Sequence, residues 1–99
     1  MKINGFRISI SNYKSEEIDG ECILFFEESH RIVVLNSIAT IIWKYIEDCS
    51  KNNIDLHYDN IVAYLKSFCN SLPDNEEVLS DVKNTVDQLI QAEAIIIQN

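Results

Sequence analysis

The residues here that could do more than pack are two histidines, three cysteines and three glutamate doublets. Histidine moves protons near neutral pH, but it needs a partner to orient it. His30 falls in a polar turn and His57 just before a helical pattern, so both read as solvated loop residues. No nucleophile elbow, zinc-protease helix or phosphate-binding P-loop pattern is present. The two glycines, Gly5 and Gly20, cannot build a phosphate cradle. Cys22, Cys49 and Cys69 lie 27 and 20 residues apart, and there is no C-x-x-C. That spacing fits neither a disulfide framework nor a zinc site, and reads as small buried hydrophobes in a reducing, cytoplasmic compartment. The doublets Glu16-Glu17, Glu27-Glu28 and Glu76-Glu77 read as solvated charge or helix-dipole partners. No set of polar groups converges. The expectation is a binding protein rather than an enzyme, with no cofactor and no metal.

Charge narrows the partners. The net charge is -8, with eight Lys and Arg in all. Phosphate recognition needs clustered cations. From Asp74 to Glu93 there are six acids and one base, Lys83, for a net of -5. A helix so charged is repelled by a phosphate backbone, so no nucleic-acid partner is expected. The apolar runs are strand-sized, far below the roughly 20 residues that span a bilayer. The first six residues carry no signal-peptide pattern. No membrane partner is expected.

Hydropathy periods define the elements that would position any site. Phe6, Ile8 and Ile10 alternate with polar residues, as in a half-buried strand. Asn12 to Gly20 reads as a polar connection. Glu21 to Glu27 is apolar on both faces and reads as a central strand covered on both sides. After the turn Glu28-Ser29-His30, the β-branched run Arg31 to Leu35 reads as a third strand. Asn36 is a good N-cap for a helix over Ser37 to Asp48, with Ile38, Ile41, Ile42, Tyr45 and Ile46 on a face that Ala39 and Trp43 widen. A break at Cys49 to Asn53 precedes a second helix from near Tyr58 to Asn70. Beyond Pro73, Asp74 or Asn75 can cap a third helix over about Glu76 to Ala92, with Leu79, Val82, Val86 and Leu89 as its stripe. Ala94 to Ile97 is a last strand or a packed coil. Ninety-nine residues make one domain, residues 1–99. The fold class is α+β and winged-helix-like: a three-stranded antiparallel sheet followed by a three-helix bundle.

The physical cue to function is the third strand. If the strands pair in chain order, Arg31 to Leu35 has one free edge, blunted by Arg31 alone. Such an edge beside an amphipathic helix can accept an extended peptide as an added strand. It can equally be covered by the tail or by a second copy of the chain.

A family resemblance selects among these. Gly20-Glu21-Cys22-Ile23-Leu24-Phe25, then Arg31-Ile32-Val33-Val34-Leu35-Asn36, then Ala39 and Ile42-Trp43, resembles the PqqD-like family. These are precursor-peptide recognition elements of ribosomally made, modified peptides. Asn60-Ile61-Val62 with Leu65 resembles the family's second helix. Asp81-Val82, Val86, Leu89-Ile90 and Ala92 to Ile95 resemble its third helix and tail. The likeness covers about residues 20 to 96 and contains no catalytic motif. The chain departs from the family where glycine is common: Glu28-Ser29-His30 fills the hairpin turn and Asp48-Cys49-Ser50 follows the first helix.

The resemblance implies a stand-alone module. It would bind the leader of a precursor peptide and present it to a separate enzyme, a radical-SAM maturase or a leader peptidase. The alternatives are a homodimeric or structural interaction subunit and a winged-helix regulator. The module would be a monomer or a weak homodimer. Arg31, Ile32, Val33, Val34 and Leu35 would supply the edge. Leu79, Val82 and Val86 would form the groove floor or the core beneath it. At 100° per residue, Lys83 and Ile90 flank the stripe on one side, Val78 and Thr85 on the other. If the Lys83 flank faces the strand, Arg31 and Lys83 would bracket an acidic leader residue.

Overall fold

The computed structural model describes residues 5–68 and 75–98. Nine elements follow in order: β1 (Gly5–Ile10), β2 (Tyr13–Ile18), β3 (Glu21–Phe26), β4 (Arg31–Leu35), α1 (Ser37–Lys51), β5 (Leu56–His57), α2 (Tyr58–Phe68), α3 (Asn75–Gln91) and β6 (Ile95–Gln98). They form two three-stranded sheets, β2-β3-β4 and β5-β1-β6. The architecture is α+β and winged-helix-like, an antiparallel β2-β3-β4 sheet followed by three helices. Cys69, Asn70, Pro73 and Asp74, part of the expected loop and caps, lie outside the described residues.

The sheet is not made of the strands expected. Its first strand is β2, inside the stretch read as a polar connection. The Phe6-Ile8-Ile10 strand, β1, pairs instead with β6, Ile8 opposite Ile97 and Ile10 opposite Ile95. The reason is burial: beyond Tyr13, every residue of β2 is exposed, so it has no alternating hydrophobic signature. A turn signal was present. Asp19 and Gly20 form a two-residue loop with φ of 52° and 83°. Positive φ at both positions is the type I′ hairpin geometry for which Asp-Gly is suited. The register runs from Tyr13 opposite Phe26 to Ile18 opposite Glu21.

β3 is covered on one face, not both. Cys22, Leu24 and Phe26 are buried, Ile23 is half-buried and Phe25 is exposed. Leu24 lies opposite Val33, and Cys22 opposite Leu35, so β4 turns its buried residues to the same side. α1 covers that face. Trp43 packs edge-on against Phe26 and Tyr13, with ring centroids 6.2 and 5.4 Å away. The Tyr13 hydroxyl donates to the Glu47 carboxylate. Burial raises the Glu47 pKa, with the Asp48 charge adding to the shift and Lys51 opposing it.

Asn36 caps α1 as expected, its side-chain oxygen accepting from the Ala39 amide at 2.8 Å. α1 runs on through the expected break to Lys51, and Cys49 is buried in its last turn. Trp43 sits at the centre of the buried face with Ile42 and Ile46, while Ile38, Ile41 and Tyr45 pack half-buried beside them.

α1 and α3 end alike. The Ile54 amide donates to Cys49 O at 2.9 Å and the Ala94 amide to Leu89 O at 2.9 Å. Each bond closes a Schellman motif around a left-handed residue, Asn53 (φ 55°) and Glu93 (φ 63°). Asn53 thus takes a left-handed position that glycine commonly fills at helix ends, and His30 (φ 58°) is left-handed in the hairpin turn.

α3 buries Val78, Val82, Val86 and Leu89, whereas Leu79 is only half-buried. The stripe is therefore turned toward Val78 relative to the reading from spacing. β6 makes the tail a strand, and the Ser11 hydroxyl donates to Glu93 O at 2.7 Å, tying its start to the β1–β2 junction.

Candidate functional site: the free edge of β4

β4 is the terminal strand of its sheet, so one edge faces away from β3. The way into α1 pins its end. The Thr40 hydroxyl donates to Asn36 O at 2.8 Å, and Thr40 is itself buried. Val33 and Leu35 anchor the inner side, and Ile32 (65% exposed) and Val34 (55% exposed) stand outward. Ile32 lies opposite Phe25, and Val34 opposite Ile23. The outer face beside the edge is therefore an apolar patch that the core does not use. Arg31, at the start of the strand, is exposed and makes no ion pair among the described residues. An edge of this kind offers unpaired backbone groups and apolar neighbours, which suits strand addition.

The helix residues divide. Val78, Val82 and Val86 are buried, so they lie in the core. Leu79 and Lys83 face α2. With Tyr58 and Asp59 they line a recess, and the Lys83 ammonium sits 5.7 Å from the centre of the Tyr58 ring. That leaves Thr85, half-buried, on the flank away from α2.

Cys22 and Cys49 are free and buried. Burial, with the Glu17 charge, pushes the Cys22 thiol up against the opposing pull of Lys44. Burial also raises the Cys49 thiol, with a hydrogen bond from Tyr45 opposing. Neither is a thiolate nucleophile near neutral pH. Among the described residues no cluster of His, Cys, Asp and Glu could hold a metal ion, and no helix is long and apolar enough to cross a membrane. Sequence reasoning missed the outer patch of Ile23 and Phe25, because it assumed a second cover over β3.

No family model matches the chain, and no curated protein matches it. Among solved structures, the chain is similar to TbiB1 in complex with the TbiA(beta) leader peptide. The TM-score is 0.69 at 20% identity, over 88% of this chain and 93% of that one. The two chains share a fold.

Proposed function

We propose that this chain is a stand-alone recognition domain, PqqD-like in kind, that binds the leader segment of a ribosomally made precursor peptide. The leader adds as a strand to β4, and the module presents it to a separate modifying enzyme without doing chemistry itself. The observation that carries the reading is the apolar outer edge of β4, with Ile32 and Val34 exposed and, among the described residues, no further strand beside it. Support comes from the shared fold with TbiB1, whose structure holds a leader peptide. In this reading Arg31, Ile32, Val33, Val34 and Leu35 supply the edge. Val78, Thr85 and the buried Val82 and Val86 shape the facing side, and Leu79 and Lys83 stand apart on the α2 side.

The test is titration of labelled leaders from short peptide genes beside the gene for this chain. Hydrogen exchange is followed in parallel. Binding should slow exchange at alternate amides of β4. Binding without any protection there would place the site elsewhere.

The same exposed edge supports a second reading, a homodimer joined β4 to β4. Light scattering over a concentration series separates the two, because an obligate edge-paired dimer cannot persist as a concentration-independent monomer.

A further inference from the structure

An apolar recess of about 360 Å³ opens where the β3–β4 turn, the end of α3 and β6 meet. Ile90, Ile96 and Ile97 form its wall, and Ile96 (53% exposed) and Ile97 (44% exposed) remain open to solvent. Four polar residues share the lining, and one of them, Ser11, already donates its hydroxyl to Glu93 O. Glu28 and Glu93 bring carboxylates, and neither makes an ion pair among the described residues. Ser29 brings a buried hydroxyl oxygen that has no hydrogen-bond partner. The Schellman turn at the end of α3 fixes Glu93, and Glu28 and Ser29 are separated from the start of β4 by His30 alone.

We propose that this recess holds an apolar side chain of the bound peptide, next to a lysine or arginine of that peptide. The proposal rests on the leader-binding reading and extends it past the Arg31 end of β4. The isoleucine wall selects the apolar group. The two carboxylates on its lining, in a chain of net charge -8, select the basic neighbour and reject an acidic one.

The probes are two capped dipeptides, acetyl-Phe-Lys-amide and acetyl-Phe-Glu-amide, titrated into protein carrying labelled isoleucine methyl groups. The Ile90, Ile96 and Ile97 methyls should shift with the first and bind the second about fivefold more weakly at low salt, a gap that narrows as salt rises. The Glu28→Gln, Glu93→Gln variant should keep the apolar contact and lose most of that preference. Both positions are exposed, so folding is not at risk. Equal affinity for the two probes, or no shift of these methyls with either, overturns the proposal. So do methyl shifts that follow protein concentration alone, which would mean that a second copy fills the recess. A dipeptide is too short to pair along β4, so this outcome stands apart from the test of strand addition.

Discussion

The β2-β3-β4 sheet has two edges, and they are built in opposite ways. β2 carries Lys14, Ser15, Glu16 and Glu17, all exposed. Lys14 reaches Glu27 at 3.7 Å, and Lys44 of α1 reaches Glu17 at 3.7 Å. Such exposed pairs add little stability, but charge along an edge repels an incoming strand. β4 carries Ile32 and Val34 where β2 carries charge. Among the described residues, one edge is lined by charge and the other by exposed apolar side chains. The difference is the physical ground for proposing β4, and not β2, as the edge that accepts a peptide.

The largest effect expected concerns the backbone of the open edge. Neighbouring amides of a strand point to opposite edges, so one of Val33 and Val34 donates outward. Proline at the outward position should weaken leader binding by about 30-fold or more with the fold retained. Proline at whichever of Glu16 and Glu17 donates outward from β2 should leave binding unchanged. Equal loss from both edges by fluorescence anisotropy would break the comparison.

The two faces of β3 sharpen it. Phe26→Ala empties space beside Trp43 and should cost about 3–5 kcal/mol in urea unfolding. Phe25→Ser on the exposed face should cost under about 1 kcal/mol. A large loss at Phe25 would mean that the outer face is part of the core.

Swapping edge chemistry comes next. Lys14→Val with Glu16→Val should turn β2 into a second open edge and produce concentration-dependent association in sedimentation. Val34→Lys should weaken leader binding by about tenfold while leaving stability within about 0.5 kcal/mol.

The smallest effects lie away from both edges. Glu93→Gly relieves a left-handed residue and should raise stability by about 1 kcal/mol, or about 4–8 °C in Tm for a chain of this size. Lys83→Ala should change leader affinity by less than about twofold, because that ammonium is turned to Tyr58. Cys22 and Cys49 should resist iodoacetamide at pH 8 in the native protein and react once it is unfolded.

The sequence by itself determined the order of the main elements, the Asn36 cap, the burial of the Val82, Val86 and Leu89 stripe, and the third strand that ends a sheet. These depend on periodicity and on side-chain hydrogen bonds a few residues apart, and both are local. It also determined the weight of charge against phosphate. Tertiary structure alone decided that β1 leaves the sheet for β6, because that pairing joins the two ends of the described chain and no local pattern encodes it. It decided that charged β2 is a strand, because the hydrogen bonds to β3 that hold it bury little. It turned Lys83 toward α2, since helical spacing fixes which residues share a flank but not which neighbour that flank meets. It also brought Glu28 and Ser29 together with Ile90, Glu93 and the β6 isoleucines around one recess, from two segments far apart in the chain. Recognition by a strand edge uses backbone groups common to every residue. The sequence could name the edge, and only the folded chain could show that, among the described residues, no strand pairs with its outer side.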